Sequence, residues 1–211
     1  NDGTAAAVAE LLYGVGREID DFLYLFLGPA LGGGLVINGE IVRGPCGNAA
    51  DVGLMPAPPS TLVSAPRPKG IFDIMLNHAS LNTLMRHLQH NGISIESKVD
   101  LETVIAQKSA PVLEWLDDCT MALSHLIWAG RALLDVPVIV IGADVGGGLT
   151  GILKERLEAA LAASAPESRT PPRIVAGSFG SDAGAVGAAS LPIFYSFSPS
   201  KETLTNEMNH R

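Results

Sequence analysis

Cysteine, basic clusters and long apolar runs are all scarce in this sequence of 211 residues. The two cysteines, Cys46 and Cys119, lie far apart without metal-type spacing, so both are expected as free thiols in a reducing cytoplasm. No group of Lys and Arg stands above the background, and the formal net charge of −8 would repel nucleic acid from most of the surface. Direct DNA binding by this chain is therefore not expected.

Residues 22–38 form a long uncharged run, which is interrupted by Pro29 and by three successive glycines. The run falls short of the roughly 18 to 20 consecutive apolar residues that cross a bilayer. No stretch combines a basic start, an apolar core and a small-residue cleavage site, as a secretory signal does. The sequence therefore predicts neither a membrane partner nor an export signal in this chain.

Apolar residues, in contrast, make up 47% of the sequence, and the mean hydropathy is +0.28. At this length they suffice for a sizeable core, and we expect a single domain over residues 1–211.

The first part of the chain predicts a helix and then a meander. Asn1 and Asp2 precede an Ala-rich stretch, and their short polar side chains suit a helix N-terminus, with the helix ending near Gly14. Two apolar β-type runs flank the glycines of "GPALGGG", and the pair Asn38-Gly39 predicts a tight hairpin before a third strand. Between residues 45 and 68, prolines and the absence of any period predict a long irregular loop, of the kind that is often functional.

The second part predicts helices and then alternating strands and helices. "IFDIMLNHASLNTLMRHLQHNG" predicts a helix that closes on Gly92, and the run from Asp100 to Asp135 predicts one long helix central to the core. "VPVIVIGAD" is typical of a buried parallel strand, and an amphipathic helix, the strand "RIVAGS" and a helix of small residues follow it. This order predicts an α/β domain whose mixed sheet is covered by helices.

Six blocks follow one another along the chain: "ND" heading an Ala-rich helix, "LGPALGGGLVINGEIVRG", "GNAADVGLM", "PKGIFD", "VIVIGADVGGGL" and "SDAGAVGAASLPI". In this order and spacing they resemble the ROK family of repressors, open reading frames and sugar kinases. The resemblance implies an actin-like ATPase (ribonuclease H-like) lobe, a mixed β-sheet with an antiparallel three-stranded meander flanked by helices. It also implies that residues 1–211 are the C-terminal, large lobe, and that the N-terminal lobe and any helix-turn-helix are absent from this chain.

The same resemblance implies a set of sugar-binding residues. In the kinases of the family, the Asp of the "ND" pair takes a proton from a sugar hydroxyl, and the Asn binds a neighbouring hydroxyl. Asp2 is thus the catalytic base if the protein is a kinase, whereas the residues alone favour a helix cap there. Asp51 and Asp73 occupy positions where the family carries glutamates. The substrate-binding residues implied are Asn1, Asp2, Asn48, Asp51 and Asp73.

The zinc block of the family, C-x-C-G-x-x-G-C-x-E, is replaced here by "SAPRPKGIFD", and Leu54 takes the place of a His that in the family both contacts the sugar and binds zinc. The three cysteine positions hold Ser64, Pro66 and Ile71. A thiolate-rich tetrahedral site cannot form from these side chains, so no metal is expected. The nearby Cys46 and His78 are expected to be a buried thiol and a helix-surface histidine. We expect proline and aromatic packing to hold the loop instead.

The phosphate loop of the family, L-G-T-G-x-G-G-G, offers a hydroxyl and successive N–H groups to ATP. The matching positions here hold Pro29, which has neither group, and Ala30, whose Cβ narrows the choice of φ. Five glycines remain at the positions predicted for an ATP site, namely Gly28, Gly32, Gly33, Gly34 and Gly142. ATP and Mg²⁺ are expected only if the protein is a kinase, and otherwise no cofactor is expected.

These departures favour the sugar- or effector-binding and oligomerisation lobe of a ROK-type transcriptional regulator without kinase activity. The expected ligand of this lobe is a sugar or sugar phosphate. The protein would form a homodimer or homotetramer through the apolar helix from Val112 to Leu134. DNA would be contacted only through an N-terminal domain that this chain lacks. One alternative is the C-terminal lobe of an ATP-dependent sugar kinase of the glucokinase or N-acetylhexosamine kinase type. Another is an oligomerisation module whose ligand site has decayed.

Overall fold

A mixed five-stranded sheet forms the centre of the computed structural model, which describes residues 2–68, 70–146 and 148–197. The strands are β1 (Phe22–Leu27), β2 (Leu31–Ile37), β3 (Glu40–Val42), β4 (Pro56–Ala57), β5 (Asp73–Ile74), β6 (Val138–Ala143) and β7 (Arg173–Ala176). The α-helices are α1 (Asp2–Tyr13), α2 (Leu81–His90), α3 (Lys98–Gln107), α4 (Ala110–Leu134), α5 (Leu149–Ser164) and α6 (Ala183–Phe197).

The central sheet has the order β3-β2-β1-β6-β7, and β4 and β5 form a separate two-residue ladder. Strands β1, β2 and β3 are an antiparallel meander, whereas β1 pairs in parallel with β6, and β6 with β7. Asn38 and Gly39 both have positive φ (53° and 73°), as the tight turn between β2 and β3 requires. The meander, the hairpin and the parallel strand predicted from the sequence are confirmed.

Strand β1 is buried on both faces because its side chains alternate between two apolar clusters. Leu23, Leu25 and Leu27 pack among the large side chains of α2, α4 and α5. Phe22, Tyr24 and Phe26 point to the other face, where α1 and α6 supply mostly alanine and glycine. The small residues let α1 and α6 approach each other closely, since a Cβ at Gly187 would overlap with the backbone of Ala5.

A buried carboxylate fastens α1 to the end of β7. Glu10 is fully buried, and its oxygens accept the backbone N–H groups of Ser178 (2.5 Å) and Val15 (3.2 Å). Burial, and then the nearby charge of Glu10, raise the pKa of the Tyr24 hydroxyl well above its usual range. Helix α1 is thus held both by close packing and by a buried polar contact.

Two helix predictions need correction. The long helix predicted from Asp100 is divided into α3 and α4, because Lys108 adopts a left-handed conformation (φ 51°) and Pro111 lies in the first turn of α4. The helix predicted from residue 71 begins only at Leu81, where Ser80 and Thr83 form a capping box. The preceding residues form β5 and a 3₁₀ turn, Met75–Asn77.

Helix α4 is central to the core, as predicted, but its apolar stripe is buried within this chain and is not available for a subunit contact. Val112, Leu116, Leu123 and Ile127 are fully buried within this chain, and the exposed apolar residues of the helix, Leu133 and Leu134, lie in its last turn. Within the described part of the chain, no helix combines the length and apolarity needed to cross a membrane.

Candidate functional site

A cavity of about 360 Å³ lies at the edge of the sheet where β1 ends and β2 begins. Three components form its walls: the N-terminus of α1, the turn between β1 and β2, and the start of the long loop, residues 43–80, that joins β3 to α2. Its lining comprises Asp2, Gly3, Phe26, Gly28, Pro29, Ala30, Leu31, Gly32, Asn48 and Asp51. Concave sites that combine apolar walls with a few polar groups are typical of small-molecule binding.

The α1 wall is placed by contact between backbones. A Cβ at Gly3 would overlap with the nitrogen of Gly33 and would lie 2.7 Å from its carbonyl oxygen. Along β2 the glycines alternate in direction: positions 32 and 34 face α1, and position 33 faces Ala50 and Val52. This close approach brings the exposed carboxylate of Asp2, in the first turn of α1, to the cavity, where the positive end of the helix dipole favours it.

The loop wall presents an amide and a carboxylate. The Nδ2 group of Asn48 donates to Oδ2 of Asp51 at 2.8 Å, so each side chain orients the other. Ala50 has a positive φ of 61°, and the Val52 N–H donates to its carbonyl oxygen at 2.8 Å in a tight turn. The turn directs Val52 onto Gly33 and Asp51 into the cavity.

Both backbone groups of Gly28, in the turn from Gly28 to Ala30, are hydrogen-bonded within this chain. The Gly28 N–H donates to the carbonyl oxygen of Ala30 (3.2 Å), and the Gly28 carbonyl accepts the N–H of Leu81 at the start of α2 (2.9 Å). Pro29 has no N–H group. The turn therefore offers few free N–H groups to an anion, in contrast to a phosphate-binding nest.

The remaining predicted glycines lie outside the lining of the cavity. Gly33 and Gly34 are required by packing against the long loop and against Ala7 of α1. Gly142 lies in β6, where a Cβ would overlap with the hydroxyl of Tyr24. Asn1 lies outside the described residues.

Asp73 is buried in a polar cluster apart from the cavity. Its Oδ1 accepts the N–H of Ile74 (2.8 Å) and Nδ2 of Asn77 (2.6 Å), and its Oδ2 faces Nε2 of His78 at 3.6 Å. On the other side of the His78 ring, Nδ1 lies 2.8 Å from Oδ2 of Asp118 on α4. All three ionisable side chains are at most 3% exposed.

The carboxyl of Asp118 is stabilised in its charged form. Burial acts most strongly and in the opposite direction, but the hydrogen bond and charge of His78, with bonds from Ser60 and Thr61, together lower its pKa below the usual range. The Thr61 N–H donates to Oδ1 of Asp118 at 3.1 Å. The expectation of a helix-surface His78 is wrong, and so is that of a buried Cys46, which is exposed.

The model of the ROK family matches residues 1–193 of this sequence. The chain belongs to the ROK family.

This ROK chain is similar in sequence to a longer protein. The uncharacterized protein y4fQ of Sinorhizobium fredii is 30% identical over 202 residues, covering 93% of this chain and 46% of y4fQ. The chain thus spans about half the length of that relative.

Solved structures confirm the actin-like ATPase fold of ROK sugar kinases. The ROK glucokinase of Streptomyces griseus, solved with glucose and AMPPNP, has a TM-score of 0.70 at 21% identity, over 90% of this chain and 66% of that one. A ROK transcriptional regulator described as a homologue of the MLC protein of E. coli has a TM-score of 0.67 at 20% identity, over 90% and 50%. The fold is therefore common to kinases and a regulator.

The positions of the ROK zinc block are spread over the long loop. Ser64 bonds through its hydroxyl to Nδ1 of His87 at 2.8 Å, whereas Ile71 is 95% exposed. In the described part of the chain, no group of three His, Cys, Asp or Glu side chains is placed to hold a metal ion. The side chains around His78 approach its two opposite ring nitrogens and do not converge on one point.

A second hollow, of about 280 Å³, also has Pro29 in its lining. Apolar side chains of α2 and α3, including Leu81, Met85 and Leu101, form much of its lining. At its rim, Lys98 forms an ion pair with Asp144 at 3.1 Å. This carboxylate follows β6, at the edge of the sheet where the strands β1 and β6 both end.

Sequence reasoning identified the polar residues of the cavity but missed three neighbours. Phe26 and Leu31 form its apolar part, and Gly3 determines how closely α1 approaches β2. The signal for Gly3 was present, because a glycine in the first turn of a helix faces a glycine triplet in β2. His78 carried no local signal, since its partners lie 5 and 40 residues away.

Proposed function

We propose that this chain is the sugar-binding and oligomerisation lobe of a ROK transcriptional regulator that lacks kinase activity. The observation that carries the proposal is the cavity itself, in which Asp2, Asn48 and Asp51 face one space beside a turn with little capacity to bind phosphate. Carboxylate and amide groups accept and donate the hydrogen bonds that sugar hydroxyls make. Phe26 and Leu31 supply an apolar surface for the less polar face of a sugar ring.

The turn between β1 and β2 supports a binding role over phosphoryl transfer. Catalysis of phosphoryl transfer depends on positioning the phosphates and neutralising their charge. Here Pro29 and the internally bonded Gly28 occupy the place where backbone N–H groups would be needed, and Asp2 and Asp51 are the charged residues in the lining. Sugar binding does not depend on these backbone N–H groups, because carboxylate and amide side chains supply its hydrogen bonds.

For the whole protein, we propose a cytoplasmic homo-oligomer that contacts DNA through a region other than residues 1–211. The net charge of −8 opposes DNA binding by this chain, and the exposed Leu133 and Leu134 offer apolar surface for a subunit contact. Light scattering on the full-length protein tests the oligomer: a monomer at micromolar concentration would contradict it.

Calorimetric titration of the full-length protein tests the binding function. Glucose, N-acetylglucosamine, N-acetylmannosamine, sucrose and glucose 6-phosphate are the probes, and at least one should bind in the wild type. Asp51→Asn should weaken that binding by about tenfold, the loss expected from about 1.4 kcal/mol. Absence of heat with every probe would favour an oligomerisation module with a decayed site.

The runner-up is the C-terminal lobe of a sugar kinase. It is favoured by the position of Asp2 at the cavity and by the likeness to the S. griseus glucokinase. Under this function the apolar hollow beside Pro29 is the candidate place for a nucleotide base, with ATP and Mg²⁺ as cofactors. ATP-dependent phosphorylation of a sugar by the full-length protein, abolished by Asp2→Ala, would replace the regulator by this function.

A further inference from the structure

The long loop, residues 43–80, carries Asn48 and Asp51 but contains little regular structure. Its elements in the described residues are two 3₁₀ turns, Val52–Leu54 and Met75–Asn77, and the two-residue strands β4 and β5. Such segments do not hold a fixed shape through their own backbone hydrogen bonds. Contacts to the rest of the domain must therefore determine where Asp51 lies.

Buried polar groups tie this loop to α4 at two separate points. Asp118 uses Oδ1 to accept the N–H of Thr61 (3.1 Å) and Oδ2 to bond with Nδ1 of His78 (2.8 Å). A carboxylate only accepts hydrogen bonds, so His78 is the donor. Through Nε2, His78 also faces Oδ2 of Asp73 at 3.6 Å, which is too long for a hydrogen bond, and among the described residues neither of these two atoms has a hydrogen-bond partner.

A short path of backbone contacts connects this cluster to the cavity. Asp73 pairs with Ala57 in the ladder of β4 and β5, and the N–H of Met75 donates to the carbonyl oxygen of Met55 at 2.9 Å. Met55 caps the 3₁₀ turn Val52–Leu54, whose N-terminal cap is Asp51. The position of Asp51 thus depends on that of the His78 cluster over a few residues of chain.

A second histidine fixes the middle of the loop. Nδ1 of His87, on α2, lies 2.8 Å from the hydroxyl of Ser64, and its Nε2 lies 3.1 Å from a carboxylate oxygen of Glu114, on α4. The Glu114 side chain is 57% exposed, so this contact is weaker than the fully buried one. Of these two polar contacts between the loop and the helices, the buried one at Asp118 is the stronger anchor.

We propose that His78 and Asp118 are positioning residues for the ligand cavity: they fasten the long loop to α4 and thereby set the place of Asn48 and Asp51. Neither residue lines the cavity. This inference rests on the proposed function in so far as the cavity binds a sugar, whereas the anchoring of the loop does not depend on the ligand.

The test compares Asp118→Asn with Asp117→Asn in the full-length protein. The amide side chain introduced by Asp118→Asn carries no charge and keeps one acceptor oxygen. If that oxygen accepts the Thr61 N–H, the amide can bond to His78 only when the ring accepts at Nδ1, so the charge-assisted hydrogen bond is lost in every arrangement. Asp117 is an exposed neighbour that pairs with Arg156 at the surface. With the probe sugar that binds the wild type, Asp118→Asn should raise Kd about tenfold, and Asp117→Asn should leave it within about twofold. An unchanged Kd in Asp118→Asn would overturn the proposal.

A double-mutant cycle separates positioning from a general loss of stability. If Asp118 acts through Asp51, then Asp118→Asn should weaken sugar binding by less than about twofold when Asp51→Asn is already present. If the increases in Kd caused by Asp118→Asn and Asp51→Asn simply multiplied in the double variant, the positioning role of Asp118 would be overturned. If Asp118→Asn does not fold, Thr61→Pro replaces it, because it removes the Thr61 N–H at an exposed position and leaves the pair of His78 and Asp118 intact.

Hydrogen exchange provides a readout without any ligand. Backbone amides of residues 45–63 should exchange at least about tenfold faster in Asp118→Asn, or in its substitute, than in Asp117→Asn. Equal rates would overturn the anchor even if a sugar binds. A failure of the sugar-binding function shows differently, as a wild-type protein that gives no heat with any probe while the exchange difference persists.

Discussion

The two polar walls of the cavity are held by different kinds of interaction. Helix α1 presents Asp2 through close contact of small residues, with Gly3 against the glycines of β2. The long loop presents Asn48 and Asp51 through hydrogen bonds of buried ionisable groups, with Asp118 and His78 at the centre. The first wall should therefore be sensitive to added volume, and the second to the loss of a charge or of a hydrogen bond.

The largest effect is expected from Gly3→Ala. The new Cβ would overlap with the backbone of Gly33, which cannot move without distorting β2, so we expect a loss of about 3 kcal/mol in the free energy of unfolding. Gly151→Ala is the matched control, since this helical glycine in α5 has open space around it and should gain about 0.5 to 1 kcal/mol. Urea denaturation followed by tryptophan fluorescence measures the unfolding free energy of both variants. If Gly3→Ala and Gly151→Ala changed it in the same direction, the packing of Gly3 against Gly33 would not explain the effect.

Asp118→Asn should cost about 2 kcal/mol at pH 7, because a buried, charge-assisted hydrogen bond is lost. The pKa of the Asp118 carboxyl is lowered in the folded protein, so its stabilising contribution is complete above the unfolded pKa of about 3.9 and disappears as the pH falls through the folded value. The difference in unfolding free energy between wild type and variant should therefore be constant from pH 7 to about pH 5 and shrink below about pH 4.

Asp117→Asn is the control for that pH series and should show no such convergence, because its ion pair with Arg156 is exposed. Urea midpoints at several pH values are the measurement. A gap between wild type and Asp118→Asn that widens on acidification would contradict the assignment of Asp118 as the charged partner.

Ser80→Ala should cost about 1 kcal/mol, because Ser80 caps α2 in a capping box with Thr83. It should also weaken sugar binding, since the first N–H of α2, that of Leu81, holds the carbonyl of Gly28 in the cavity turn. Ser97→Ala removes an equivalent box, that of α3 with Asp100, and should cost a similar amount of stability without changing the affinity. If Ser80→Ala and Ser97→Ala changed the sugar affinity equally, the cap of α2 would have no specific effect on the cavity.

The smallest change in stability is expected from Asp2→Asn. The exposed carboxylate at the N-terminus of α1 contributes about 0.5 kcal/mol through the helix dipole. Its contribution to sugar binding should be larger, with an increase of about tenfold in Kd. Calorimetry and urea denaturation on the same sample check both, and a stability loss without any change in affinity would make Asp2 a helix cap alone.

Local patterns in the sequence predicted most of the fold. The apolar β-type run of β1, the Asn38-Gly39 turn and the β-branched run of β6 each specify one kind of element, and all were confirmed. The division between α3 and α4 was missed because an apolar period of 3.6 continues through Lys108, although Pro111 signals a new helix start.

Only those residues of the candidate site that belong to family motifs could be predicted from the sequence. Asp2, Asn48 and Asp51 line one cavity, whereas Asp73, which belongs to a motif of the same kind, is engaged by His78 and Asn77 instead. The partners of His78 lie on β5 and α4, and no spacing of residues in the sequence predicts a contact between these elements. Buried polar clusters are assembled by tertiary structure and are therefore invisible to local reasoning.

The bond between Glu10 and Ser178 spans 168 residues of sequence. Contacts of such separation form only after the intervening chain has been ordered, since the entropy of closing the loop must be overcome first. We therefore expect the Glu10 end of α1 to dock late during folding, after the sheet has acquired β7. The other end of the helix contacts β2 through Gly3 and closes a loop of only about thirty residues, so the wall of the cavity that carries Asp2 can form before the helix is fastened at Glu10.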